Sequence, residues 1–233
     1  MTGQNDSYEP ISTAPVADAL VRLGPTVRTA PSQIRRLSPG APVVGRAVPV
    51  RHFGSVDVFL EAFENAPSGG VLVIDNGGVD FEACIGDLTV AEAESAGLAG
   101  IVLWGFHRDT AALRQIGLPV WSLGAVPPGP RSARPLQGDP FSHAHIGEVR
   151  VTDADVVVAD DDGVVFVTAD LWPEVSAAAA AIVVVEQAQA DAIGAGRNLR
   201  DQLGFGDYLA RRAADPSYTL RRHLAERGGA IET

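Results

Sequence analysis

Between residues 86 and 110 the chain reads GDLTVAEAESAGLAGIVLWGFHRDT, with Asp87 separated by twenty residues from the adjacent pair Arg108-Asp109. Another acid, Asp75, stands a little upstream. Carboxylates without accompanying sulfur ligands are hard oxygen donors, suited to Mg²⁺ or Mn²⁺ ions that keep part of their water. A guanidinium beside them can hold a carboxylate-bearing substrate. The chemistry suggested is metal-assisted work on a small anion, provided the fold closes the twenty-residue gap.

The elements around these residues can close it. VLVID (71–75) is a continuous apolar run ending in an acid, as expected of a strand buried on both faces. A helix is expected from Leu88 to about Ala96, closed by Gly97. IVLW (101–104) reads as a second buried strand, TAALRQIG (110–117) as a short helix and PVWSLG (119–124) as a third strand. This alternation predicts a parallel sheet with right-handed crossovers. Ligands collect beyond the carboxyl ends of such strands. Asp75, Asp87, Arg108 and Asp109 are therefore all expected on one edge, the twenty residues being one full crossover. At the helix start, the N–H groups of Leu88 and Thr89 lack intrahelical partners and can donate to an anion.

The 233-residue chain has room for one sizeable domain, and its 25 glycines and low aromatic content suit a compact α/β fold. Residues 1–10 are expected to be disordered, 11–192 to form the α/β domain, and 193–233 a helical extension. ISTAPVADALVRLG has helical spacing, with Ser12 or Thr13 as cap and Gly24 as stop. The prolines of APVVGRAVPV (41–50) suggest an edge or bent strand. VDVFLEAFEN (56–65) reads as a helix broken by PSGG, and residues 127–140 as a surface loop. EVRVTDADVVVADDDGVVFV (148–167) predicts an antiparallel hairpin, followed by an Ala-rich helix over 171–192 with Pro173 in its first turn. The arginine-rich end has little apolar content of its own and is expected to pack on a neighbouring subunit.

A net charge of −11 argues against general electrostatic binding to nucleic acid or anionic membrane. No apolar run reads as long enough to span a bilayer, and MTGQNDSYEP is too polar for a signal peptide, so a cytoplasmic location is expected. The single cysteine, Cys84, excludes an intrachain disulfide and a Cys-based zinc cage.

Taken singly, these residues also have plain structural readings. Asp87 could be an N-cap, Arg108-Asp109 a surface ion pair, and Asp75 a turn acceptor. His107 could touch substrate or be a satisfied structural histidine. His143 and His145 would need further partners to bind metal. The acids of DADVVVADDDG lack EF-hand spacing and read as a solvated turn. Cys84 reads as a small core residue, and Gly77-Gly78 as an isolated pair without a cofactor loop, so methyl transfer has no support.

The combination is more specific than its parts. DNGG(x4)A(x2)GD(x20)RD, from Asp75 to Asp109, resembles the RraA-like family, with further likeness in STAPVADAL, GLAGIVLWG, LPVWSLGAVPPGP and VVVADDDGVVFV. That family contains 4-hydroxy-4-methyl-2-oxoglutarate/4-carboxy-4-hydroxy-2-oxoadipate aldolases and regulators of RNase E activity. The resemblance implies a swivelling three-layer β/β/α domain, assembled as a homotrimer or homohexamer. It also implies a class II aldolase that cleaves 2-keto acids to pyruvate, with oxaloacetate decarboxylation as a side activity; the alternative is a non-catalytic ribonuclease regulator. In the aldolase reading Asp109 ligates Mg²⁺ and Asp87 holds it through water. Arg108 binds the keto oxygen and stabilises the enolate, and Gly86, Leu88 and Thr89 bind the pyruvyl carboxylate. Glu186 is a candidate for a glutamate that the aldolases supply from a neighbouring subunit. His107 and Trp104 depart from the family pattern beside the expected pocket and put the physiological substrate in question.

Overall fold

The computed structural model describes residues 8–131 and 133–227. The expected disorder over residues 1–10 therefore falls mostly outside the described residues, as does the end of the extension. In chain order the elements begin α1 (Thr13–Leu23), β1 (Arg28–Thr29), β2 (Arg35–Arg36), β3 (Val43–Arg51), α2 (Asp57–Asn65) and β4 (Val71–Asp75). Then come β5 (Ala83–Ile85), α3 (Asp87–Ser95), β6 (Gly100–Trp104), β7 (Phe106–His107), α4 (Thr110–Ile116), β8 (Val120–Ser122) and β9 (Gly124–Ala125). The remainder is β10 (Ala144–Ile146), β11 (Val149–Val151), β12 (Asp155–Ala159), β13 (Val164–Thr168), α5 (Trp172–Gly194), α6 (Leu199–Gln202), α7 (Phe205–Ala214) and α8 (Leu220–Glu226).

By its internal contacts the chain forms two compact units: residues up to 14 with 27–173, and 15–26 with 174 onward. The first unit holds a mixed eight-stranded sheet ordered β1-β13-β12-β3-β4-β6-β8-β2, in which β3, β4, β6 and β8 run parallel. Both faces of its central strands are covered, which is why VLVID and IVLW are apolar without alternation. Leu72, Ile74, Ile101 and Leu103 pack with Phe59 of α2, Val90 of α3 and Leu113 of α4. Val71, Val73 and Val102 point the other way, towards Trp121, Ile146 and Phe166. A second, three-stranded parallel sheet, β5-β7-β9, stands beyond the carboxyl ends of β4, β6 and β8 in the chain path.

Four expectations are revised. The proline-bearing strand is internal, not at an edge: β3 pairs with β12 over Val43–Arg46 and with β4 over Ala47–Arg51. Pro49 lies in the half where β12 has ended. Residues two apart point their N–H groups the same way, and Arg51 donates to the loop carbonyl of Pro140 at 2.9 Å, so Pro49 interrupts no ladder on that side.

The helix α5 is long and apolar enough to cross a membrane by length and composition, and little of it is buried. The sequence reading missed this because alanines and valines, not a leucine run, supply the hydropathy. Val183, Val184 and Ile193 leave it with exposed apolar surface.

The acids of the hairpin are not simply solvated. Asp160 is buried and accepts from the Thr13 N–H (2.7 Å) and hydroxyl (2.8 Å), while Asp155 is buried against Arg28 (2.6 Å). The arginine-rich end also has a small core of its own. Tyr208, Tyr218, His223 and Leu224 are buried, and Glu226 receives Arg211 (2.6 Å), Arg222 (3.0 Å) and the Tyr218 hydroxyl (2.9 Å).

Candidate functional site

Two short strands deliver the residues that the twenty-residue spacing points to. After β4 the chain forms β5, and Gly86 then opens α3. After β6 it forms β7, and Arg108-Asp109 then opens α4. β5 and β7 are parallel neighbours, with Ala83 opposite Phe106 and Ile85 opposite His107, and Arg108 N–H bonds to the Ile85 carbonyl at 3.0 Å. The crossover therefore closes in the second sheet, one strand later than the sequence alone suggests. ACI and FH are too short to carry a periodic signal, so β5 and β7 were not legible.

At their ends the groups meet. The Asp109 carboxylate lies 3.4 Å from the Asp87 N–H and 3.4 Å from Arg108 Nε. A Cβ added at Gly86 would stand 2.5 Å from Asp109 Oδ2 and 3.2 Å from Arg108 Nε. Gly86 is extended (φ −145°, ψ −166°), a conformation any residue adopts, so glycine is required there for space. Asp109 caps α4 in the left-handed region (φ 60°, ψ 35°), yet its side chain makes no cap hydrogen bond. It is the one non-glycine with positive φ among the described residues, an arrangement that costs on the order of 1–3 kcal/mol. That conformation turns the carboxylate from its own helix towards the start of α3.

Asp87 is not the N-cap; that position is Gly86, and Asp87 is the first helical residue. Its Oδ1 accepts from the Leu88 N–H at 2.8 Å. Of the two amides expected to hold an anion, Leu88 is thus locally engaged, while that of Thr89 makes no hydrogen bond among the described residues. The Leu88 side chain is 82% exposed.

The other candidates fall elsewhere or into structural roles. Asp75 bonds to Gly77 N–H (2.9 Å) and to the His145 N–H of β10 (3.0 Å), which makes it a turn and tether and not a partner of Asp87 or Asp109. His107 is 4% exposed, with Nδ1 at 2.8 Å from Ser122 Oγ and Nε2 at 3.1 Å from Thr110 Oγ1. Both nitrogens are engaged, and burial, helped by Arg114, lowers its pKa. Trp104 packs on the Gly77-Gly78 turn, its ring atoms 3.1 Å from where a Gly78 Cβ would stand. His143 and His145 stack edge to face at 5.0 Å without a converging third ligand. Cys84 is buried, and burial pushes its thiol far up, so it is no nucleophile. Glu186 lies on α5 among residues of the second unit, lining a cavity of about 370 Å³ with Arg22, Ile182 and Phe205.

No group of three or more His, Cys, Asp or Glu side chains capable of holding a metal converges among the described residues. Two carboxylates, one freed from capping by its backbone, fit a hard cation that retains most of its water. They do not fit a closed zinc cage.

A mixed sheet covered on both faces and a second small parallel sheet make this an α/β domain, with an acid–arginine–acid constellation at its helix starts. The RraA-like (Aldolase/RraA) family model matches residues 13–166, and the chain belongs to that family. A similar solved structure is an uncharacterized protein from Pseudomonas syringae pv. tomato str. DC3000, with 27% identity over 82% of this chain and 92% of the other (TM-score 0.71). Streptomyces coelicolor RraAS2, described as an unusual member of the RNase ES inhibitor RraA family, shares 30% identity over 78% and 91% (TM-score 0.64). The RNA-processing inhibitor RraA from Thermus thermophilis shares 26% over 65% and 91% (TM-score 0.56).

Proposed function

We propose that this RraA-like protein is a divalent-metal-dependent lyase. It would cleave 4-hydroxy-4-methyl-2-oxoglutarate-like 2-keto acids to pyruvate and decarboxylate oxaloacetate as a related reaction. The observation that carries this reading is the convergence of Arg108 and Asp109 on Gly86 at the start of α3. The guanidinium is 48% exposed and its one ion-pair partner among the described residues is Asp109, through Nε, which leaves its terminal nitrogens available to an anion.

All 18 basic residues are arginines. Without a lysine ε-amine the chain cannot form the Schiff base of a class I aldolase, so a different electron sink is needed. Asp109 directly and Asp87 through water would hold Mg²⁺ or Mn²⁺, which when bound supplies Lewis-acid polarisation of the keto group. Arg108 stabilises the charge that grows on the keto oxygen as the C–C bond breaks. The start of α3 receives the substrate carboxylate through its dipole and the Thr89 amide, with Leu88 added once Asp87 releases it. Gly86 keeps the approach clear. No side chain is placed as a proton carrier, since the neighbouring imidazole of His107 is engaged at both nitrogens, and water takes that role. Pyruvate release from a keto-acid panel with Mg²⁺ and with EDTA tests the reading; no metal-dependent release from any member refutes it.

A homotrimer or homohexamer, in the cytoplasm and without nucleic acid or membrane, completes the proposal; the exposed apolar side chains of α5 suit burial against a second copy. A second reading, a protein-binding regulator of a ribonuclease, is favoured by the two RraA inhibitors among the similar structures and by the net charge of −11. A salt-sensitive complex with a ribonuclease, retained by Arg108→Ala, would favour it over catalysis.

A further inference from the structure

The loop after β9 lies against the Arg108 guanidinium of the proposed site. A Cβ at Gly129 would stand 2.7 Å from Arg108 Nη1 and 3.3 Å from Cζ, so the guanidinium rests directly on the backbone of that residue. On its other side, Arg108 Nε and Cγ would meet a Gly86 Cβ at 3.2 and 3.3 Å. The side chain thus runs between two glycines, one at each end of its length. The loop itself is pinned at three places. Val126 N–H bonds to the His107 carbonyl (2.9 Å), Ala83 N–H to the Pro128 carbonyl (2.7 Å), and Arg131 N–H to Glu82 (3.0 Å). Prolines at 127, 128 and 130 restrict the backbone between those pins.

We infer that Gly129 is a positioning residue: the pinned loop is a rail that sets where the Arg108 guanidinium sits. The inference rests on the lyase reading for its catalytic consequence, but its geometric part stands without it. Arg108 has little else to hold it, since its side chain is half exposed and its ion pair with Asp109 is long. Long, solvated side chains lose substantial freedom when fixed, and a backbone surface can supply that constraint without competing for the guanidinium's donors. Gly129 does not have positive φ, so alanine meets no left-handed strain there. The atom in its way is the far end of a flexible side chain, so Gly129→Ala should move the guanidinium and leave the fold intact.

The test uses Gly129→Ala in the full chain, with crystal structures, melting temperature and steady-state kinetics on whichever keto acid the wild type turns over. The expected result is a displaced Arg108 guanidinium over an unchanged loop backbone and an unchanged melting temperature. kcat should fall by about 10²-fold with KM little altered, as for a misplacement of about 1 Å. Carboxylate capture at α3 does not depend on the rail, which is why KM is spared. A guanidinium that stays in place overturns the inference, and so does one that moves with kcat unchanged. If the wild type turns over no keto acid, the lyase reading fails by itself, and the crystal structures alone then decide whether Gly129 places Arg108.

Discussion

Arg108 and Asp109 are adjacent in sequence but work by different physical means. Arg108 offers unclaimed donors, and in the lyase reading Arg108→Ala is expected to lower kcat by about 10²–10³-fold, the scale of a lost oxyanion donor, as steady-state kinetics will show. Asp109 sits in left-handed backbone that suits glycine better than aspartate. Asp109→Gly is therefore expected to keep or raise the melting temperature while abolishing metal-dependent turnover. A clear fall in melting temperature would show that the carboxylate is there for structure.

His107 and His52 make a separate prediction. Both are buried, and burial holds both pKa values below the usual histidine value of 6.5. The unfolded chain then binds more protons than the native one between the lowered folded value and 6.5. Stability is thus complete above about pH 6.5 and declines as the pH drops through that window. Calorimetric melting at pH 7.5 and 5.5 should show the loss, and His107→Gln should reduce it.

At the scale of elements, the turns beside the parallel strands are as constrained as the strands themselves. Gly78 has φ +69° and carries the Trp104 ring at van der Waals contact, so alanine there meets both strain and overlap. Gly78→Ala is expected to destabilise by about 1–3 kcal/mol in urea unfolding. The parallel core that carries β5 and β7 was legible because Leu72, Ile74, Ile101 and Leu103 belong to runs apolar on both faces. β5 and β7 were not, since three and two residues cannot display a period. For β3, proline pointed towards an edge, and only the change of partner from β12 to β4 reconciles Pro49 with an internal strand.

For the whole molecule, the exposed apolar side chains of α5 are the feature most in need of a partner, with Val184 69% exposed. In the trimer or hexamer proposal, light scattering should give a multiple of three of the 24.3 kDa chain mass. Val184→Asp is expected to shift it towards the monomer, because a charge would be buried unpaired. A wild-type monomer at micromolar concentration would defeat that proposal.

By itself the sequence determined the family, the parallel α/β core and the pairing of Asp87 with Arg108-Asp109. Buried strands and crossovers impose composition and length directly on the chain, and twenty residues are one return trip. The tertiary structure decided which residues stay with that pair. Asp75 is claimed by β10, 70 residues on, and His107 by Ser122 of β8 and Thr110 of α4, whereas Gly86 stays and Gly129 enters beside Arg108. Such choices depend on which donor, acceptor or empty space lies within a few ångströms, and local sequence does not carry that information.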